Sequence, residues 1–277
     1  MLKIRRPVKN GGIADKLLTA MSQGWQNSIT IENDVNWQWG DERNAPQAFF
    51  GLGDMNFPKA YHLKQKQLPF ILIDMPYWRR RGPNVSFKEA LWRICINGIH
   101  VNRVIPGLDD KRSPGWGYKS WKTGEGNYLL VAESSNSVNR WCEVPFWNDD
   151  IRKEIREHTP FPVKYRIKPR IGKQSGPEYA GIPLETDFKN AHAVITTCSI
   201  VGVEAILNGI PVICDQLSAA NPVSRNSVSQ VDHLLRGDRL EWFRTLQYHQ
   251  YTCDEIANGT AYYTLRDIYG KDFPELF

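Results

Sequence analysis

Hydroxyl side chains cluster between Thr196 and Ser199, where an apolar segment gives way to a helical pattern. Residues 193–197 carry no charge and are rich in β-branched side chains, which is typical of a strand buried on both faces of a parallel sheet. Ser199 can cap a helix that ends at Gly209, and Pro211 prevents its continuation. The hydroxyls are therefore expected at the sheet edge where open α/β folds bind phosphates. An ordinary strand–helix–strand unit, in which Ser199 only caps its helix, has the same pattern.

Two further polar segments are expected at the same edge, because the carboxyl ends of parallel strands lie together. The predicted strand 128–132 precedes a pair of serines, and the predicted strand 163–167 precedes a basic turn. Hydroxyls, helix N–H groups and cations together suit a diphosphate, whose dispersed charge needs several fixed donors. The phosphate-binding residues predicted in this way are Ser134, Ser135, Lys168, Arg170, Thr197 and Ser199.

Glu204 lies roughly a turn and a half into the helix that Ser199 begins. A carboxylate at that position could accept hydrogen bonds from the hydroxyls of a ribose. It could equally be a surface carboxylate favoured near the start of a helix.

The elements that position these residues alternate between strand and helix through the second half of the chain. A helix is predicted over 148–158 and a short helix or turn over 183–191, between the strands already described, which indicates right-handed βαβ units in a parallel sheet. In the first half the clearest strand is 69–74, and the apolar spacing over 87–97 predicts a helix. Glycine and charged residues dominate 107–126, which we interpret as a linker. The predicted domains are 1–115 and 116–277, and the chain end predicts two amphipathic helices.

Composition favours a folded protein with an anionic partner. The chain has 277 residues, 41% apolar and 12% aromatic, and a formal net charge of +5. Its five cysteines form no C-x-x-C pair, which predicts reduced thiols in a cytoplasmic protein without a zinc site. The basic start is followed by no apolar signal segment, and no run is long enough to span a membrane.

Several common catalytic motifs are missing from the sequence. It contains no Asp-x-Asp pair, H-E-x-x-H motif, Walker A motif, G-x-S-x-G elbow or G-x-G-x-x-G turn. Hydrolase, NTPase and dehydrogenase functions are therefore weakly supported. The lack of an Asp-x-Asp pair, of a Cys/His cluster and of an EF-hand loop predicts chemistry that requires no metal. No cofactor is expected either.

The second half resembles the nucleotide-sugar half of GT-B glycosyltransferases, in particular the capsule-polysaccharide and Kdo/sialyltransferase-like branch. The resemblance is carried by KYRIKPR and PLETDFKNAHAVITTCSIVGVEAILNGIPVI. Residues 202–205 match a G-x-E-A helix and 209–212 match a G-x-P-V strand, whereas 168–170 read Lys-Pro-Arg in place of the expected His-Pro. The resemblance implies a nucleotide-sugar as co-substrate and adds Gly202 and Glu204 to the donor-binding residues.

A second resemblance lies in the first half. The segment ILIDMPYWRRRG is similar to strings in small glycosyltransferase-like proteins of bacteriophages. Here Met75 and Pro76 stand where those strings have His-Gly, so no catalytic histidine is implied.

The resemblance implies a GT-B-like α/β fold, in which two Rossmann-like domains face a cleft and C-terminal helices brace the first domain. The first domain would then supply the base that deprotonates the acceptor. Its candidate carboxylates are Asp74, at the end of the predicted strand 69–74, and Asp54. Either could instead be a turn or cap residue.

The acceptor implied by the bacteriophage resemblance and the basic, aromatic composition is a hydroxymethylated pyrimidine in DNA. A base inside a duplex has to be flipped out, and the expected contacts are Tyr77, Trp78, Arg79, Arg80 and Arg81. Those arginines could also form an ordinary solvated surface. Two alternatives stay open: a saccharide acceptor, and a nucleotide- or nucleic-acid-binding protein of this fold without transfer activity. The oligomeric state is not indicated.

Overall fold

The computed structural model divides the chain into two compact α/β units. It describes residues 2–6, 12–26, 29–33, 45–53, 56–112, 117–124, 126–167 and 182–277. The first unit comprises Met1–Val101 and Leu246–Phe277, and the second comprises Asn102–Thr245. This division differs from a single boundary at residue 115, because the end of the chain returns to the first unit.

The first unit is built on a six-stranded mixed sheet with strand order β10-β5-β4-β3-β1-β2. Strands β2, β1, β3 and β4 are mutually parallel, whereas β5 is antiparallel to β4 and β10 is antiparallel to β5. The strands are β1 (Leu2–Arg6), β2 (Ile29–Asn33), β3 (Gln47–Phe50), β4 (Phe70–Asp74), β5 (Trp92–Ile96) and β10 (Gln250–Tyr251). The helices are α1 (Ile13–Gly24), α2 (Phe57–Gln65), α8 (Cys253–Ala257) and α9 (Thr260–Tyr269).

The predicted helix over 87–97 was wrong, because residues 92–96 of that segment form β5. The apolar spacing suited a helix, but Trp92 and Ile94 favour a pleated surface and are fully buried in the sheet. Asn97 ends the strand in the left-handed region, at φ 54°. Its side chain accepts a hydrogen bond from the Phe70 amide at 2.8 Å, which fixes the register of β5 on β4.

The end of the chain completes the first unit. It contains the two helices α8 and α9 and also the short strand β10, which the sequence did not indicate. Helix α8 contacts α1, and the Trp25 indole donates to the Leu276 carbonyl at 2.8 Å. The Gln250 side chain accepts a hydrogen bond from the Tyr77 amide at 2.6 Å.

The second unit is built on a four-stranded sheet that is entirely parallel, with strand order β7-β6-β8-β9. Its strands are β6 (Tyr128–Ala132), β7 (Val163–Arg166), β8 (Ala191–Thr196) and β9 (Val212–Cys214). Its helices are α3 (Asn136–Trp141), α4 (Trp147–His158), α5 (Leu184–Phe188), α6 (Ile200–Leu207) and α7 (Leu240–Gln247), the last of which runs into the first unit. The strand and helix alternation predicted for this half is confirmed.

The sheet of the second unit is covered on both faces. One face carries Leu129, Ile195 and Ile213, which pack with Ile151 and Ile155 of α4. The opposite face packs on α6, where a side-chain carbon added at Gly202 would lie 3.4 Å from Thr196 and 3.5 Å from Val212. A strand buried on both faces has a continuous apolar sequence, as β8 does.

The segment predicted as a linker instead packs within the second unit over its described part, 117–124. The Lys119 amide donates to the Leu207 carbonyl and the Lys122 amide to the Gly209 carbonyl, both at 2.9 Å. The Arg239 guanidinium lies over the Trp121 ring at 3.9 Å and over the Tyr118 ring at 4.4 Å. These contacts hold the segment against the end of α6.

None of the helices in the described part of the chain is both long and apolar enough to cross a membrane.

Candidate functional site at the carboxyl edge of the second sheet

Polar residues follow β6, β8 and β9 where these strands end, and we call this region the carboxyl edge. It comprises residues 133–136, 197–200 and Asp215. Because the three strands are parallel neighbours, their ends meet on one side of the sheet. The structure therefore brings the predicted serine and threonine residues together.

Two helices begin at the carboxyl edge, and each begins at a predicted serine. Ser135 caps α3 by accepting a hydrogen bond from the Val138 amide at 3.4 Å. Ser199 caps α6 by accepting one from the Val201 amide at 3.3 Å. Both serines are partly exposed. The cap predicted at Ser199 is confirmed, and this cap also satisfies the purely structural alternative.

The other hydroxyls at or next to the edge, those of Ser134, Thr196 and Thr197, are buried. Thr196 donates to the Ala132 carbonyl at 2.7 Å, and its Oγ1 lies 3.5 Å from the Oγ of Ser134. Thr197 is fully buried and donates to Oδ1 of Asn139 at 2.8 Å. These bonds join the end of β8 to β6 and α3, so Thr196 and Thr197 position the loop before α6. Thr197 and Ser134, predicted as donor contacts, have little surface to offer a ligand.

Helix α6 carries the last two predicted donor residues. Gly202 is buried against the sheet, where it allows the helix to approach β8 and β9 closely. Glu204 is partly exposed two residues further along, about half a turn around the helix. Gly202 therefore has a packing role in this structure, whereas Glu204 keeps a surface that a ligand can reach.

Three predicted residues, Asp54, Lys168 and Arg170, lie outside the described residues. Two basic residues that precede Lys168 in the chain, Lys164 and Arg166, are described, and both have a carboxylate partner. Lys164 lies 2.6 Å from Asp187, and Arg166 also pairs with this fully buried carboxylate. Lys164 and Arg166 thus neutralise a buried acid.

One ion pair at the carboxyl edge was missed by the sequence prediction. Glu133 follows β6 directly and lies 2.7 Å from Arg152 of α4. The Arg152 guanidinium is also placed over the Tyr165 ring, 4.2 Å from its centroid. This arrangement places a partly exposed cation against Glu133 at the carboxyl edge. The helix spacing of Arg152 alone gave no reason to place it there.

A sulfur-rich cluster that was not predicted adjoins the carboxyl edge: Cys198 belongs to the edge, Cys142 follows α3 and Cys214 ends β9. Cys142 and Cys198 approach to 3.0 Å between sulfurs, although 56 positions separate them in the chain. Burial, reinforced by the neighbouring Cys142, raises the pKa of the Cys198 thiol well above its ordinary value. Burial also raises the pKa of Cys214 to about 11.

The predicted acceptor-side residues lie in the first unit and divide by burial. Tyr77 is fully buried, and its hydroxyl accepts a hydrogen bond from the Val101 amide at 3.0 Å. Burial raises the pKa of Tyr77 well above 10. Trp78 is also buried, whereas Arg80 and Arg81 are exposed and Arg79 is partly exposed with φ 55°. Aromatic contacts to an extruded base by Tyr77 or Trp78 are not available in this arrangement.

Asp74 ends β4, as predicted, and is held on both carboxylate oxygens. Its Oδ2 lies 3.1 Å from the buried Arg93 guanidinium, and its Oδ1 accepts from the Met75 amide at 2.8 Å. The Arg93 guanidinium is also 5.0 Å from the centroid of the Tyr77 ring. The pairing gives Asp74 a structural role in addition to any catalytic one.

No protein-family model and no curated protein matches the sequence. Among solved structures, the chain is similar to KpsC of Thermosulfurimonas dismutans, described as a beta Kdo 2,7 transferase. The identity is 10%, the alignment covers 95% of this chain and 99% of that chain, and the TM-score is 0.48. That TM-score is too low to assign a family, so function has to be argued from the site.

Proposed function

We propose that the protein is a glycosyltransferase that binds a nucleotide-sugar at the carboxyl edge. The observation that carries the proposal is the pair of helices, α3 and α6, that start after neighbouring parallel strands. The first N–H groups of a helix have no partner within the helix, and they favour an anion. A nucleotide diphosphate supplies such an anion, and Glu204 is the candidate acceptor for its ribose hydroxyls.

The proposed chemistry assigns two tasks, stabilising the leaving group and deprotonating the acceptor, to different residues. Transfer requires stabilisation of the departing phosphate and removal of a proton from the acceptor hydroxyl. Lys168 and Arg170 follow the last residue of β7, Arg166, by two and four positions. Since β7 runs parallel to β6, we assign these two cations to the departing phosphate. Asp74 and Asp54 remain the candidate bases, within a GT-B arrangement that belongs to the same proposal.

Binding of the donor is tested by thermal unfolding against UDP-, GDP-, CMP- and ADP-sugars. A ligand that binds only the native state stabilises it, by about 2.7 kcal/mol at a concentration of 100 Kd. We expect one nucleotide class to raise Tm and the others to leave it unchanged. No shift with any member of the panel would contradict a nucleotide-sugar site, whatever the acceptor.

The same panel tests the two cations. Lys168→Ala and Arg170→Ala should each weaken donor binding by about 1.5–3 kcal/mol, because each removes a charge-assisted contact. Lys153→Ala is the matched control, since Lys153 is exposed on α4 and its pairing with Glu157, at 4.0 Å, is also exposed. Equal donor affinity in all three variants and the unmodified protein would remove the phosphate assignment.

We propose that transfer needs no divalent cation on the diphosphate. The sequence has no Asp-x-Asp pair, and the helix amino ends with Lys168 and Arg170 would supply the positive charge instead. Initial rates of sugar transfer should be the same with and without added Mg²⁺ or Mn²⁺. A rate that depended on either ion would show that the leaving group is stabilised differently.

For the acceptor, we propose a hydroxymethylated pyrimidine in DNA, contacted through Arg79, Arg80 and Arg81. A protein that neutralises phosphates releases counterions, so its affinity for DNA falls as salt rises. Replacing all three arginines by Ala should reduce the slope of log K against log salt by about 2 to 3. Donor binding should be unchanged. A charge-matched control replaces the exposed Lys66, Lys88 and Lys271 of the same unit.

Three outcomes distinguish a DNA acceptor from a saccharide acceptor, and a transferase from a protein that only binds nucleotides. An equal slope in the arginine and lysine variants would mean that the arginines only decorate a solvated surface. Transfer to an oligosaccharide without salt-sensitive DNA affinity would favour a saccharide acceptor. Donor binding without hydrolysis or transfer of the sugar would favour a non-catalytic nucleotide-binding protein.

A further inference from the structure

Three metal-ligating side chains converge at the carboxyl edge. The Cys142 and Cys198 sulfurs are 3.0 Å apart, and the Cys198 sulfur is 3.9 Å from Oδ1 of Asp215. One ligand atom from each residue lies within 4.8 Å of the other two. The three residues come from different elements: Cys142 follows α3, Cys198 precedes α6, and Asp215 follows β9.

The donor atoms match a borderline-soft divalent cation. Zn²⁺ binds thiolate sulfur at about 2.3 Å and carboxylate oxygen at about 2.0–2.2 Å, usually in a tetrahedron. Two sulfurs on one tetrahedral Zn²⁺ are therefore about 3.8 Å apart. The sulfurs of Cys142 and Cys198 have to separate by less than about 1 Å to reach that geometry. Mg²⁺ and Mn²⁺ prefer oxygen ligands and do not suit the pair.

The surroundings hold the ligands in place. Asp215 Oδ1 accepts a hydrogen bond from the Leu217 amide at 2.8 Å, which orients the carboxylate. The hydroxyl of Thr197, the residue before Cys198, donates a hydrogen bond to Oδ1 of Asn139 in α3 at 2.8 Å. This bond holds the Cys198 loop against α3, the helix that Cys142 follows. Such supporting hydrogen bonds orient ligands in metal sites.

We propose that Cys142, Cys198 and Asp215 bind one Zn²⁺-like cation at the carboxyl edge. Binding displaces two thiol protons to solvent, the two thiolates neutralise the divalent cation, and the Asp215 carboxylate leaves the site with one net negative charge. Three protein ligands leave a fourth position for water. The absence of a C-x-x-C motif argued against zinc at the sequence level, but the fold joins cysteines that the sequence separates widely. The proposal does not depend on the glycosyltransferase assignment.

The test is a titration of the full chain with Cd²⁺, after reduction and removal of metal. Cadmium–thiolate bonds give an ultraviolet charge-transfer band, which reports on sulfur ligation directly. We expect the band to saturate at one Cd²⁺ per chain and to be lost on competition with Zn²⁺. Donor binding is scored separately by the nucleotide-sugar panel, so failure of one proposal leaves the other standing.

Variants identify the ligands. Cys142→Ser and Cys198→Ser should each abolish stoichiometric binding, and Cys253→Ser, a partly buried cysteine of the first unit, should leave it unchanged. Asp215→Asn keeps an oxygen that can accept from the Leu217 amide, so the fold should survive while Cd²⁺ affinity falls about tenfold or more. The intensity of the band per bound ion should persist in Asp215→Asn, since both sulfurs remain.

Two results would overturn the proposal. One is the absence of a saturating band in the reduced, unmodified protein, whether or not the chain carried a Cys142–Cys198 disulfide before reduction. The other is unchanged Cd²⁺ affinity in Asp215→Asn together with unchanged affinity in a folded Cys142→Ser or Cys198→Ser variant. Circular dichroism spectra identify the variants that fold, and the unmodified protein with Asp215→Asn decides if neither cysteine variant does.

Discussion

Replacing Asp187 by Asn is expected to lower the free energy of unfolding by about 3–5 kcal/mol, because it removes one partner of a buried ion pair. The carboxylate is fully buried, with Lys164 at 2.6 Å and Arg166 in direct contact. Its backbone carbonyl also accepts from the Tyr128 hydroxyl at 2.6 Å. Asp187 therefore ties α5 to β6 and β7, and Asn leaves two cations without their counter-charge.

Urea unfolding followed by circular dichroism measures this loss. Glu157→Gln is the matched control, since it removes an exposed carboxylate that pairs with Lys153 at 4.0 Å in the same unit, and exposed pairs contribute at most about 1 kcal/mol. Lys164→Met should cost less stability in the Asp187→Asn background than in the unmodified protein, because coupled residues are not additive. Equal losses in Asp187→Asn and Glu157→Gln would mean that the buried cluster contributes nothing beyond a surface pair.

The strand–helix–strand unit around α6 could be predicted from sequence because each of its boundaries is set by local chemistry. The continuous apolar run of β8 reflects burial on both faces, and Ser199 caps the helix with its own side chain. Gly209 ends the helix at φ 78°, a conformation that few other residues adopt at low cost. None of these features depends on a distant partner.

The elements that sequence reasoning missed depend on partners far along the chain. Strand β5 forms on β4, and its apolar spacing was equally compatible with a helix. Strand β10 has two residues and exists because β5 offers an edge more than 150 residues earlier in the chain. Short strands of this kind are specified by pairing rather than by their own sequence.

The candidate site shows the same division between local and distant causes. The hydroxyls were located correctly at the sheet edge, because strand ends can be predicted. Their burial could not be predicted, since Thr197 is covered through a bond to Asn139, 58 positions away. The Cys142–Cys198 contact has no local signal at all, because α3 and the β8–α6 loop meet only when β6 and β8 pair.

Gly209→Ala is expected to lower the free energy of unfolding by about 2–5 kcal/mol. An Ala side chain in the left-handed region costs about 1–2 kcal/mol, and overpacking of a filled site adds about 1–3 kcal/mol. The added carbon would collide with the Ser120 carbonyl oxygen, which is backbone and cannot rotate away. The Gly209 carbonyl also accepts from the Lys122 amide at 2.9 Å, so the segment 117–124 has to shift with it.

Gly237→Ala provides the control for this substitution within the same unit. An added carbon at Gly237 meets nothing within 4 Å, and the residue is exposed, so the change in unfolding free energy should stay within about 0.5 kcal/mol. Urea midpoints of the two variants give the comparison directly. If Gly209→Ala unfolds at the midpoint of Gly237→Ala, segment 117–124 yields without cost and does not hold the end of α6. If instead Gly209→Ala is destabilised as expected, its donor affinity is measured at urea concentrations below the unfolding transition and compared with that of Gly237→Ala. A difference would show that the end of α6 also affects its start at Ser199.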